Sequence, residues 1–141
     1  MAHYAFTYPS ETRSEEQMLD DLGSVLESAG VSQNLQRGFL LAVCEAFTNA
    51  LRHGNKSVPD RKILVELEVN ELAIIADITD EGKGGLERIR HRKHRGLLAE
   101  GGRGIGLIEH FADSVNFVET ETGGLRVTIT VSRTEKYITN A

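Results

Sequence analysis

Several features are scarce in this sequence of 141 residues, and each scarcity excludes a class of protein. The one cysteine, Cys44, cannot form a disulfide within the chain; it fits a reducing compartment, and we expect it to be a small buried group. No apolar run approaches the ~20 residues that a membrane-spanning helix needs. The first ten residues lack a basic segment followed by an apolar one, so we expect no signal peptide and a cytoplasmic protein.

Charge and composition point to an acidic globular protein. The 21 acidic side chains outnumber the 16 basic ones, and the resulting net charge of -5 argues against general binding of nucleic acid. A hydrophobic content of 40% with 26% charged residues is typical of a folded chain. The length predicts a single domain, residues 1–141.

The spacing of apolar residues predicts alternating helices and strands. Strands are expected where apolar residues alternate, and helices where they recur every three or four positions. The predicted strands are 3–9, 63–69, 72–78, 115–119 and 126–132, and the predicted helices are 14–29, 32–53 and 107–112. This order predicts an α+β fold, a two-layer sandwich of one mixed, mostly antiparallel sheet with helices on one face.

Two local features refine this outline. Ser14 and Gln17 have the spacing of a helix capping box, so Ser14 is expected to cap the first helix. The segment 81–102 is rich in glycine and charge, which predicts a long, mobile stretch with one short helix. Within it the run 88–95 (RIRHRKHR) is strongly basic and is interpreted as solvated charge or as a contact for an acidic partner or a triphosphate.

Polar residues recur at one-turn intervals along the second helix. Glu45, Asn49 and His53 stand at i, i+4 and i+8, so they are expected to share a side of the helix. A carboxylate there could accept a proton from a hydroxyl, and an amide oxygen is a suitable ligand for Mg²⁺. The alternative is a solvated helix face, which the spacing alone favours.

A carboxylate and two glycines follow the most apolar strand. Asp80 could accept a hydrogen bond from the exocyclic amine of adenine, while Gly82 and Gly84 would let the backbone approach the ring. The alternative is an ordinary Asp-Glu-Gly turn.

A second glycine run, 102–106 (GRGIG), precedes the helix 107–112. Free N–H groups at a helix start can bind an anion, which makes this run a candidate phosphate site. The run lacks the strand and the βαβ unit of a dinucleotide-binding fold and the Gly-Lys-Ser/Thr of a P-loop. The alternative is a flexible hinge before the helix.

Together these motifs resemble the GHKL ATPase family, which includes gyrase, histidine kinases and MutL. The N box resembles Glu45-x-x-x-Asn49 with the following 53–55 (HGN), the first glycine box 80–84 (DEGKG) and the second 102–106 (GRGIG). Three ordered motifs with a variable lid between the last two are far more specific than any one alone. The lone domain and the phrase 45–54 (EAFTNALRHG) are most similar to the anti-sigma factor serine/threonine kinases of the RsbW and SpoIIAB type.

The resemblance implies a Bergerat-type ATP-binding fold, with ATP and Mg²⁺ as cofactors. It makes Glu45 the general base for a serine hydroxyl, Asn49 the Mg²⁺ ligand, Asp80 the adenine acceptor and Arg103 a contact of the γ-phosphate. The implied nucleotide-binding positions are Asn49, Asp80, Gly82, Gly84, Gly102, Arg103, Gly104, Ile105 and Gly106.

The implied partners are an anti-anti-sigma (STAS) protein as substrate and a sigma factor to sequester, with the chain acting as a homodimer. The resemblance implies no direct contact with nucleic acid or membrane. Two alternatives are an anti-sigma binding module without catalysis and a stand-alone ATPase half of a histidine kinase.

Two positions depart from the family pattern. After Gly84 the family commonly has an apolar or aromatic residue, whereas this chain has Gly85. Near the C-terminus the family often has Gly-Thr, whereas Gly124 is followed here by Leu125.

Overall fold

The structure is a computed structural model that describes residues 2–95 and 102–133, with side chains for all of these except 92–95 and 102–105. In chain order the elements are β1 (Ala2–Pro9), α1 (Arg13–Ser28), α2 (Gln33–Asn49), a π-helical turn (Ala50–Gly54, hereafter the π turn), β2 (Lys62–Val69), β3 (Ala73–Thr79), α3 (Gly85–Arg95), α4 (Gly102–Phe111), β4 (Ser114–Glu119) and β5 (Leu125–Ser132).

The five strands form one sheet in the order β1-β2-β3-β5-β4, with the predicted strand β3 at its centre. All four pairings are antiparallel, so the parallel pairing implied by a mixed sheet is not found among the described strands. Along β2, β3 and β5 every second side chain is buried, because only one face of the sheet is covered by helices. The α+β sandwich with helices on one face is confirmed.

Helix α2 is the centre of the helical layer. It packs against α1 and α4 and lies over β3 and β5. Phe39 and Phe47 of α2 are fully buried, as are Met18 and Leu22 of α1. Each such side chain contributes about 1.5–3 kcal/mol relative to exposure, so this layer holds the N box rigidly against the sheet.

The start of α1 differs from the prediction. Its first residue is Arg13, and Thr12 precedes it without a side-chain cap. Ser14 is buried, and its hydroxyl donates to the carbonyl oxygen of Pro9 at 2.7 Å, which ties the helix to the end of β1 instead of capping it. Ser32 does cap α2, accepting from the N–H of Leu35 at 3.4 Å.

The end of the second helix also differs. The chain stays helical to Gly54, but Ala50–Gly54 forms a π turn in which the N–H of Asn55 donates to the carbonyl of Ala50. The wider turn changes the rotation per residue beyond Asn49, so the α-helical i, i+8 spacing predicted for His53 does not apply there.

The glycine-rich segments are more helical than predicted. Helix α3 is 11 residues long, and α4 begins at Gly102, four residues before the predicted opening at Gly106. The helix starts early because Ile108 and Phe111 anchor α4 to the core and tertiary packing overrides the low helix propensity of glycine. No helix in the described ranges is long and apolar enough to cross a membrane.

Candidate functional site

The last two turns of α2 present the predicted acid–amide pair. Glu45 and Asn49 are one turn apart and half-buried. Within the described part of the chain neither side chain makes a hydrogen bond or an ion pair. A carboxylate and an amide oxygen therefore stand side by side with their acceptor atoms available to a ligand.

Asp80 follows β3 and is 4% exposed. Its Oδ1 accepts from the N–H groups of Gly82 at 2.9 Å and Leu125 at 3.1 Å. Two backbone donors on one oxygen fix the carboxylate and leave Oδ2, which lies against Gly54, without a donor in the described residues. A rigid, buried carboxylate with one oxygen available is suited to accept from a single external N–H donor.

Burial raises the pKa of Asp80, and this is the largest effect on it. The N–H groups of Gly82 and Leu125 and the charge of Arg88 act in the opposite direction, since all three stabilise the ionised form. The net result is a pKa of Asp80 above its usual value. A carboxyl group placed where ionisation is costly is typical of functional sites.

Two glycines, Gly54 and Gly82, pack closely around this carboxylate and form the floor of the site. A Cβ atom at Gly54 would overlap Asp80 Oδ2, and one at Gly82 would overlap the carbonyl of Gly54. Gly82 is therefore needed for packing against the π turn, a reason that differs from the predicted approach to a ring. Gly84 has φ +71°, a conformation that favours glycine, with open space around it.

A residue that the sequence did not single out for chemistry, Asn55, connects this floor to the sheet. Its side chain is fully buried and donates to Ser10 Oγ at 2.8 Å and the carbonyl of Lys62 at 3.0 Å. Its Oδ1 accepts from the N–H of Glu81 at 2.7 Å. Asn55 thus joins the residue that follows β1, the start of β2 and the first glycine box, and no local signal could reveal it because its partners are up to 45 residues away.

The two departures from the family pattern lie against each other. A Cβ atom at Gly85 would be 2.9 Å from the Cβ of Leu125, closer than real Cβ atoms approach. The leucine thus fills space that a larger residue at position 85 would need. The small residue at position 85 thus makes room for the larger one at position 125, and the N–H of Leu125 still donates to Asp80 Oδ1.

The second glycine box opens α4. The backbone of Gly102, Gly104 and Gly106 is helical, so their N–H groups belong to the first turns and not to a preceding loop. The predicted roles of the Arg103 and Ile105 side chains lie outside the described residues.

Cys44 is half-buried rather than fully buried as expected. Burial, followed by the neighbouring Glu15 and Glu45 carboxylates, raises the pKa of its thiol to about 12. The thiol is therefore protonated at neutral pH and is no competing nucleophile beside Glu45.

A separate groove of about 580 Å³ lies between β1 and α1 and shares no residue with the motifs above. Glu16, Asp20 and Asp21 line it, with Arg13 as its basic residue. The Asp21 carboxylate already accepts a hydrogen bond from the hydroxyl of Tyr8, with 2.6 Å between the hydroxyl oxygen and Oδ2. A groove with this excess of carboxylates repels a polyphosphate, so it is not a nucleotide site.

The structure therefore joins the N box and the first glycine box through Gly54, Asp80 and Gly82. The available oxygen of Asp80 fits the amine of adenine, and the free amide of Asn49 fits a Mg²⁺ that holds phosphates. The donor set present is thus suited to ATP with Mg²⁺.

Comparisons with known proteins show the family and the fold of the chain. A family model described as the histidine kinase-like ATPase domain matches residues 8–131. The chain is similar to an anti-sigma F factor of Bacillus cytotoxicus, 29% identical over 103 residues that make up 70% of this chain and 67% of the relative. An anti-sigma F factor of Oceanobacillus iheyensis is 32% identical over 92 residues, 62% of this chain and 63% of the relative.

Among solved structures, one of the RsbU and RsbW domains of a Mycobacterium tuberculosis protein matches with a TM-score of 0.70. The match covers 94% of this chain and 33% of that chain at 18% identity, so it shows the fold alone.

Proposed function

Because the chain belongs to the family of histidine kinase-like ATPase domains, we propose that it is an ATP-dependent serine/threonine-protein kinase that acts as an anti-sigma factor. Its substrate is an anti-anti-sigma (STAS) protein, and its second partner is a sigma factor. The observation that carries the proposal is the fixed Asp80 carboxylate, one oxygen held by two backbone donors and the other available, adjoining the N box.

The nucleotide is held in three places. Asp80 accepts from the 6-amino group of adenine and Asn49 binds Mg²⁺. Phosphate oxygens are bound by the free N–H groups at the start of α4, those of Gly102 and Gly104, while Gly106 lies one turn further along the helix. When bound, Mg²⁺ neutralises charge on the phosphates. Arg103 approaches the γ-phosphate and stabilises the charge that develops there.

Glu45 acts on the protein substrate. It accepts the proton of a serine hydroxyl while the oxygen of that hydroxyl bonds to the γ-phosphorus of ATP and the bond to ADP breaks. The products are phosphoserine, ADP and a protonated Glu45, which returns its proton to water. A half-buried carboxylate with its oxygens available suits this role.

The names of the similar proteins support the regulatory half of the proposal. Both curated relatives are called anti-sigma F factor, and the alignments span 67% and 63% of their lengths. Partner switching follows if phosphorylation releases the STAS protein, since added phosphate charge at an interface disfavours binding. We include a homodimer in the proposal, to be tested by light scattering on the purified chain.

The test is phosphotransfer from γ-labelled ATP to candidate STAS proteins. We expect Glu45→Gln to lower the rate by about 10²–10⁴-fold, the usual contribution of a general base, and to leave ATP affinity unchanged. Glu16→Gln is the matched control, because Glu16 is an exposed helical glutamate on α1.

Full-rate transfer by Glu45→Gln would overturn the base assignment. Acid-labile label on the product would indicate phosphohistidine and favour the stand-alone histidine kinase alternative. Sigma-factor binding without transfer by the wild type would favour the non-catalytic module.

A further inference from the structure

Helix α3 contacts the π turn of the site through the side chain of Arg88. The guanidinium Nη1 donates to the carbonyl oxygen of His53 in the π turn at 3.3 Å. Arg88 is half-buried, whereas Arg90 and His91 of the same helix are exposed. Arg88 is thus set apart from Arg90 and His91 by its burial and by a contact with the N box.

The start of α3 is held in place by packing. Ile89 is 2% exposed and belongs to the hydrophobic core, and Leu86 packs against that core. Gly85 is buried against Leu125. These contacts fix the backbone around Arg88, so the direction of its side chain towards the π turn is a built feature of the fold.

The charge of Arg88 acts on Asp80. Two elements surround this carboxylate. The π turn places Gly54 against it, with His53 preceding Gly54 in the chain, and β5 contributes the uncharged Leu125. The neighbouring Glu81 is bonded to the N–H of Lys62 at the start of β2. Among the described residues, Arg88 is the charged side chain that lowers the pKa of Asp80 against the effect of burial.

We propose that Arg88 is a positioning and specificity-determining residue of the purine pocket: it joins α3 to the carbonyl of His53 and sets a positive charge beside Asp80, so that the pocket prefers a 6-amino purine over a 6-oxo purine. An ionised carboxylate accepts from an amine and repels a carbonyl oxygen, whereas a protonated one can donate to that carbonyl. This inference rests on the proposed nucleotide site and adds the residue that sets its base selectivity.

The test compares the affinities of ATP and inosine triphosphate, both with Mg²⁺, for the wild type, Arg88→Gln, Arg88→Lys and Arg90→Gln. Inosine triphosphate has a 6-oxo group where ATP has the 6-amino group. We expect Arg88→Gln to reduce the preference for ATP by about tenfold, the size of one lost charge-assisted contact. Arg88→Lys should keep most of the preference for ATP because it keeps the positive charge. Arg90→Gln, the control on the exposed side of α3, should show the same preference as the wild type.

The pH profile provides a second readout. Without Arg88 the pKa of Asp80 rises further, so the loss of ATP affinity on acidification should begin at a higher pH in Arg88→Gln than in the wild type or Arg88→Lys. The imidazole of His53 is common to all variants, so the difference between the profiles isolates Asp80.

Equal weakening of both nucleotides with an unmoved pH profile would show a merely structural role and overturn the inference, as would wild-type selectivity in Arg88→Gln. If Arg88→Gln does not fold, failure of the folded Arg88→Lys variant to keep the ATP preference and the profile would overturn it too. Absence of ATP binding by the wild type would overturn the proposed function, a result distinct from altered selectivity in the variants.

Discussion

Asp80 illustrates at the scale of one residue how function opposes stability. Its burial disfavours the ionised form, yet that form is the one that accepts from an amine. Because its pKa is raised in the folded state, the fold is most stable with respect to this group at low pH. The stability that the protonated carboxyl gives to the fold is lost as the pH rises through the raised pKa of Asp80.

Replacing Asp80 with Asn should therefore leave the unliganded protein at least as stable at pH 7. The amide oxygen can still accept from Gly82 and Leu125, and the cost of a buried charge is removed. Thermal unfolding of both proteins across pH measures this, with the difference expected to vanish at low pH. A variant much less stable at pH 7 would show that the ionised form stabilises the fold.

At the scale of elements, periodicity predicted most helices and strands, and tertiary contacts explain what it missed. The stripe of Phe39, Val43 and Phe47 located α2 because its core face has helical spacing. The π turn could not be predicted from local spacing, and the residue that follows it, Asn55, is held by distant partners, Ser10 after β1 and Lys62 at the start of β2. The early start of α4 at Gly102 likewise follows from packing and not from local propensity.

The contact of α3 with β5 gives a prediction at this scale. Gly85→Ala should destabilise the fold by about 1–3 kcal/mol, because its new Cβ overpacks Leu125. In the Leu125→Ala background the same change should cost less, because Cγ and Cδ2 of Leu125 are gone and only its Cβ remains close to the new methyl group. Urea unfolding of the four proteins in this cycle measures the coupling.

Gly23→Ala on α1 is the control for that cycle. Its Cβ would meet nothing within 4 Å, so we expect a gain of about 0.5–1 kcal/mol from helix propensity alone. Independent, additive effects of Gly85→Ala and Leu125→Ala would contradict compensation between the two positions.

For the whole molecule, the sequence predicted the sandwich and the order of its motifs but not how they meet. The N box and the first glycine box are adjacent because β3 ends beside the π turn, where Gly54, Asp80 and Gly82 are in contact. That contact combines residues 28 positions apart in the chain, as the numbers of Gly54 and Gly82 give. The role proposed for Arg88 depends on the folded contact between α3, the π turn and Asp80, so the sequence of the basic run 88–95 could not predict it.

Calorimetric titration of the whole chain with ATP and Mg²⁺, comparing the wild type with Asp80→Asn, tests the nucleotide site most directly. We predict saturable binding of one ATP per chain by the wild type and undetectable binding by a folded Asp80→Asn protein, because a single buried acceptor recognises the base. No binding by the wild type, or undiminished binding by Asp80→Asn, would contradict the site.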